Sequence, residues 1–317
     1  MHRTDYAGLL LVAVSASLWA TVGVATQLVP QSRLPGPELL GLSRTAIAGP
    51  VLLGLAWASR QMALARMRLI CPRTLLVFAG CSVVFQIGLF RSFAELGVTL
   101  TVFLTVCLPP VLAALADLVW LRRPMSPATA SALLLAIGGL FALVVGPDGI
   151  GFHVSGNLAG LSLSVLASVA FVGMSFAARR LSAVSDPLLV SGLGLALSGL
   201  IFLPFIALSG DIPAFDTLAG HDVLLLLSYL GLVPTALAYF CFCKGMSGCQ
   251  SALSGLIALM IEPMVATLLA ILLLNETPSP SDLAGCLLLM AAVALLCSDK
   301  RQSRTTAGQG RTPPDAA

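Results

Sequence analysis

Two stretches of the chain decide its fold: LPPVLAALADLVWLRRPMSP at residues 108–127 and IEPMVATLLAILLLNETPSP at residues 261–280. They align without a gap at a shift of 153 residues, which pairs Pro110 with Pro263. Each stretch joins a long apolar run to a polar turn, and about 20 apolar residues in a helix cross the ~30 Å of bilayer hydrocarbon. The chain is therefore expected to contain one membrane-spanning unit twice.

The composition supports a membrane protein. Of the 317 residues, 58% are hydrophobic and only 10% are charged, whereas a soluble domain averages about 25% charged residues. This balance excludes an ordinary globular enzyme, a nucleic-acid-binding protein and a disordered protein. We therefore expect the chain to lie in a lipid bilayer. We expect no nucleic-acid partner.

Hydropathy predicts an all-α polytopic membrane protein with ten transmembrane helices. The connections are short and rich in Gly, Pro and Ser, and the polar stretch 299–317 is typical of a disordered tail. The predicted spans are 7–28, 38–58, 74–94, 98–121, 127–146, 157–178, 187–208, 223–243, 251–274 and 281–298.

The basic residues set the orientation. With both termini in the cytoplasm, 14 of the 17 basic residues fall in cytoplasmic segments, and Arg33 alone falls in an outer loop. Arg44 and Arg91 fall inside spans. Such a bias is a strong positive-inside signal, so we expect a multi-pass protein of the cytoplasmic membrane with cytoplasmic N- and C-termini.

The two halves are expected to enter the membrane from opposite sides. A shift of 152 residues pairs Trp19 with Phe171, and the shift of 153 pairs Gln86 with Tyr239. The halves, 7–146 and 157–298, contain five predicted spans each, and an odd number inverts the second half. Inverted repeats are a common plan of secondary transporters, which bind substrate near the midplane between the halves.

At this point the residues resemble a known family, the EamA-type proteins of the drug/metabolite transporter superfamily. The likeness covers about residues 7–298 and includes two similar repeats. The residues that carry it are Trp19, Arg44, Ala48, Ala94, Leu96, Pro110, Gly138 and Gly139 in the first half, and Thr235, Ala236, Tyr239, Lys244, Glu262, Pro263, Asn275, Glu276, Ser279 and Gly285 in the second.

The resemblance implies a ten-helix carrier with a central cavity formed by both halves. Family members move amino acids, other metabolites or drugs, often outward. One position departs from the pattern: the family usually has a glutamate after the fourth span, and Arg123 stands where Glu276 stands in the second half.

Glu262 is the strongest candidate for a functional residue. It lies near the middle of the ninth predicted span, where a charge costs about 2.5–3.5 kcal/mol on insertion scales. It is a candidate proton carrier or contact for a substrate amine. The alternative is a helix-packing acid beside the kink at Pro263.

Arg44 lies about one and a half turns inside the second span, and a guanidinium can hold a carboxylate with two parallel hydrogen bonds. It could instead extend to the outer interface or pair with an acid such as Glu95. Pro110 and Pro263 each remove one backbone hydrogen bond in mid-span. The freed carbonyls could face a cavity, or the prolines could simply kink their helices.

Trp19, Phe171, Gln86 and Tyr239 are the remaining candidates. Aromatic walls with a few polar groups suit a small-molecule cavity, although an aromatic residue in a membrane helix is more often packing. With Arg44 and Glu262 they form the predicted substrate site, whose mixture of charges favours a zwitterion.

The rival interpretation is a membrane-embedded hydrolase acting on a lipid or peptide. Residues 245–248 spell GxSG, but a serine nucleophile needs a base, and the three histidines, His2, His153 and His221, all precede Ser247 and lie outside the spans. No HExxH or Walker A motif occurs, so we expect no metal, cofactor or catalysis. The favoured function is a secondary exporter of amino acids or related metabolites that works by alternating access, with a homodimer left open.

Overall fold

The computed structural model describes residues 4–27, 29–30, 35–60, 67–96, 98–119, 126–144, 158–209, 220–249 and 251–274, with 280–281, 284–285, 287–292 and 294–295 near the end. The predicted tail at 299–317 and the residues Arg33, Arg123 and Glu276 lie outside these ranges.

Five helices make up the described part of the first half. They are α1 (Thr4–Gln27), α2 (Pro37–Ala58), α3 (Pro72–Leu96), α4 (Val98–Val119) and α5 (Pro127–Val144). Three of them begin with proline, which suits the first helical position because the amide there has no partner within the helix.

The second half contains more interruptions. Its helices are α6 (Leu158–Ser182), α7 (Pro187–Ser209), α8 (His221–Gly231), α9 (Ala238–Gly248), α10 (Ala252–Leu259) and α11 (Ile261–Leu274). A π-helix, Leu232–Leu237, joins α8 to α9. The predicted eighth span is thus one helical rod with a widened turn in its middle.

The described residues confirm an all-α polytopic membrane fold. Among them, seven helical segments are long and apolar enough to cross a bilayer, and shorter apolar stretches at Leu104–Ala116 and Ala130–Gly139 lie in α4 and α5. The described residues between 280 and 295 are helical, which agrees with a tenth span. Large apolar side chains such as Trp57, Leu134 and Leu158 are 71–77% exposed, as expected of surfaces that face lipid.

Helices of the two halves pack in pairs: α1 with α9, α2 with α7, and α3 with α6. Glycines allow these helices to approach closely. A Cβ atom added at Gly8 would lie 2.7 Å from the backbone of Gly248, and one at Gly49 would lie 2.7 Å from the backbone of Ala196. Close packing of small residues takes the place of the hydrophobic driving force that helices lack in lipid.

The two mid-span prolines act differently. The ninth span is interrupted at Met260, whose amide bonds back to the carbonyl of Ile257 at 3.1 Å, and Pro263 follows with no N–H for the preceding turn. By contrast, α4 continues as one helix through Pro109 and Pro110. Membrane helices tolerate proline where neighbouring groups satisfy the freed carbonyls.

Adjacent glycines in α5 provide a matched test of this packing. A Cβ atom at Gly139 would lie 2.9 Å from the carbonyl oxygen of Gly285, whereas one at Gly138 would meet no atom within 4 Å. We expect Gly139→Ala to lower the free energy of unfolding by about 1–3 kcal/mol because it overpacks the interface. Gly138→Ala should be neutral or slightly stabilising, since alanine favours a helix by about 1 kcal/mol over glycine.

Thermal denaturation of the two variants in detergent measures this difference. Equal melting temperatures for Gly139→Ala and Gly138→Ala would contradict the close packing of α5 against residues 285–289.

Candidate functional site

The six residues predicted to bind substrate come together where the two halves meet. They are joined by ring contacts, hydrogen bonds and charge interactions between six different helices. Their places are Trp19 on α1, Arg44 on α2, Gln86 on α3, Phe171 on α6, Tyr239 on α9 and Glu262 on α11.

An aromatic cluster, made of Trp19, Phe85, Phe171, Tyr239 and Phe242, forms the apolar part. The ring centre of Trp19 lies 5.5 Å from those of Tyr239 and Phe242 and 6.1 Å from that of Phe171. Edge-to-face pairs at these distances each contribute about 0.5–1.5 kcal/mol beyond burial of their area. Because Trp19 and Phe171 are repeat-equivalent, their contact marks the pseudo-twofold axis between the halves.

Arg44 points at the π-helix. Its Nε donates to Oγ1 of Thr235 at 2.9 Å, and its Nη2 lies 3.5 Å from the carbonyl oxygen of Pro234. Glu262 also attracts the guanidinium electrostatically. The acid that faces Arg44 is therefore Glu262 rather than Glu95, whose side chain is exposed on α3.

Local sequence explains the π-helix. Pro234 has no N–H to offer the carbonyl of Leu230, and the hydroxyl of Thr235 donates to that oxygen at 2.6 Å instead. The amide of Ala238 reaches Val233, five residues back, which is the spacing of a π-helix. Single widened turns of this kind are frequent at functional sites.

Gln86 forms a hydrogen bond within its own helix. Its Nε2 donates to Oγ of Ser82 at 3.4 Å. Gln86, Ser82 and Tyr239 are all buried. Hydrogen bonding of this kind is required of buried polar groups, since an unpaired one costs about 1–3 kcal/mol.

Glu262 lies at the helix break in the ninth span. It occupies the first turn of α11, directly after Met260, and its side chain is half-buried. The positive end of the helix dipole favours a carboxylate at this position, and Arg44 attracts it as well. A negative group thus faces a positive one across the interface between the halves.

Ser82, Thr235 and the aromatic residues Phe85 and Phe242 were not predicted as site residues. A signal for the two hydroxyls was present, because the shift of 153 that pairs Gln86 with Tyr239 also pairs Ser82 with Thr235. Nothing comparable marks Phe242, whose repeat-equivalent residue is Leu89.

Other charged residues and clefts lie outside the cluster. Arg91 and Lys244 are exposed, and Nζ of Lys244 lies 5.6 Å from the ring centre of Phe240. Two shallow surface clefts border the connection between α6 and α7. Their lining residues are Leu69, Ala183, Val184, Ser185 and Asp186 in one, and Ser59, Asp186, Pro187, Leu188, Phe240 and Lys244 in the other.

Comparison with known proteins agrees with this architecture. The chain is similar to the uncharacterized transporter YwfM of Bacillus subtilis, with 26% identity over 93% of this chain and 95% of that protein. It is 25% identical to the uncharacterized inner membrane transporter YicL of Salmonella typhimurium, over 93% of this chain and 96% of the relative. A solved crystal structure with 21% sequence identity has the same fold, with a TM-score of 0.78 over 94% of this chain and 99% of the other.

The sequence profile of the EamA-like transporter family matches the chain twice, at residues 6–145 and 158–298. The two matches agree with the internal repeat and with a membrane transporter. The chain therefore belongs to the EamA-like transporter family.

Proposed function

We propose that this transporter is a secondary carrier that exports amino acids or related zwitterionic metabolites across the cytoplasmic membrane. The observation that carries the proposal is the position of Arg44, which reaches across the interface to Thr235 and Pro234 and lies near the acid Glu262. No soluble domain or attached module is needed for this activity, and the partners are the small-molecule substrate and the bilayer. A homodimer is compatible with the proposal but is not required by it.

A zwitterion fits the two charges of the site. Moving a charged group out of water is strongly unfavourable unless it finds an opposite partner. In the described conformation Arg44 and Glu262 attract each other. A bound zwitterion would replace this attraction, with its carboxylate against Arg44 and its ammonium against Glu262, while Gln86 and Tyr239 offer further hydrogen bonds.

Transport would proceed by alternating access. The site lies between the inverted halves, and rocking of one half against the other would expose it to each side in turn. The rings of the aromatic cluster contact one another across this interface, so a substrate must separate them to bind. The cytoplasmic location of both termini follows from the bias of the basic residues.

The GxSG stretch does not favour the hydrolase alternative. Oγ of Ser247 donates to the carbonyl oxygen of Lys244 in its own helix at 2.8 Å. Among the described residues, the histidine His221 is exposed at the start of α8, at the opposite end of the same helical span. Ser247 is therefore a helix residue bonded to its own backbone, and we propose no catalysis.

Substrate chemistry tests the proposal. Purified protein in proteoliposomes should exchange a labelled amino acid for an unlabelled one in counterflow. Methyl esters, which lack the carboxylate, and N-acetyl derivatives, which lack the ammonium, should compete at least about tenfold more weakly, because a charged partner left unpaired costs 2–5 kcal/mol in a buried pair. Equal competition by these derivatives would contradict a zwitterion site, and absence of any counterflow by folded protein would contradict an amino-acid carrier.

Glu262→Gln tests proton coupling. If Glu262 carries the proton, the variant should lose the pH dependence of flux, because glutamine keeps the shape of the side chain but cannot ionise. Glu95→Gln, at an exposed position on α3, is the matched control and should keep the pH profile of the wild type. The measurement is initial flux at several pH values in proteoliposomes with equal amounts of inserted protein, and an unchanged pH profile in Glu262→Gln would exclude this role.

A further inference from the structure

We propose that Thr235 is a positioning residue: its hydroxyl holds the guanidinium of Arg44, a group of the substrate site, in place across the interface between the halves. This inference rests on the proposed transport function for what the site binds, but the positioning itself depends only on the contacts of Thr235.

Thr235 contacts both halves. It is 1% exposed, donates to the carbonyl oxygen of Leu230 in its own half and accepts from Nε of Arg44 in the first half. The hydroxyl thus has one bond within its own half and one bond to the other half.

The bond to Thr235 also decides which way the guanidinium faces. An arginine side chain has five N–H donors in one plane, and those on Nε and Nη2 are directed at Thr235 and Pro234. The donors on Nη1 remain for a substrate carboxylate. Thr235 therefore orients the group that is proposed to bind substrate, without needing to touch the substrate itself.

The bond between Arg44 and Thr235 joins the two halves. Relative motion of the halves must therefore break or rearrange it.

Thr235→Val removes the hydroxyl and keeps the shape, whereas Thr235→Ser keeps the hydroxyl. Thr45→Val is the matched control, because Oγ1 of Thr45 donates to Gly41 and Leu42 of its own helix. All variants are made in the full chain with Trp57→Phe and Trp120→Phe, which leaves Trp19 as the only one of the three tryptophans. Trp19 contacts Tyr239 and reports on the site by its fluorescence.

In ligand-free protein, Thr235→Val should shift the emission of Trp19, while Thr235→Ser and Thr45→Val should match the parent. In counterflow, Thr235→Val should raise the apparent KM for amino acid about tenfold, the loss expected for a hydrogen bond to a charged group, with the maximal rate within about twofold. Thr235→Ser should restore the KM.

Parent-like emission and KM in Thr235→Val would overturn the inference and leave the proposed function standing. If the parent carries no amino acid, the proposed function fails, and the emission of the ligand-free variants still decides the positioning role. A shift that Thr235→Ser fails to restore would also count against it, because the hydroxyl would then not be the cause.

Discussion

The contact between Arg44 and the widened turn at Leu232–Leu237 is the interaction on which the site depends. A guanidinium inside a membrane helix needs partners, because a charge there is costly and normally faces protein or water. The π-helix supplies a hydroxyl and a carbonyl, and Glu262 supplies the opposite charge. Since Arg44 belongs to the first half and its partners belong to the second, satisfying this charge ties the two halves together at the place where substrate is proposed to bind.

Irregular backbone is concentrated in the second half. The π-helix at Pro234 and the interruption at Met260 both lie there, whereas α4 passes through Pro109 and Pro110 as one helix. The two halves therefore have similar helices but differ in their charged residues and in the regularity of their backbone. The repeat-equivalent position of Glu262 is Pro109, so the carboxylate that faces Arg44 exists on one side only.

Much of this organisation could be predicted from the sequence. Trp19 and Phe171 were paired by the repeat and are in contact, and Tyr239, which the repeat pairs with Gln86, contacts Trp19. Arg44 and Glu262 stood out because charge inside an apolar span is costly. The choice between Glu95 and Glu262 as the acid facing Arg44 could not be made, because it depends on how α2 packs against the second half, which no spacing along the chain encodes.

The sequence by itself determined that the chain crosses a bilayer many times, that its halves are inverted repeats, and which polar residues lie within the spans. These properties follow from the lengths of the hydrophobic segments, from the distribution of the basic residues and from the similarity of the two halves. Each of these can be read along the chain without knowing which segments are in contact. Only the tertiary structure decided that the polar residues share one site, that Thr235 holds Arg44 across the interface, and that the prolines act differently. Those outcomes depend on which helix faces are in contact. The close packing of glycines and aromatic rings determines these contacts.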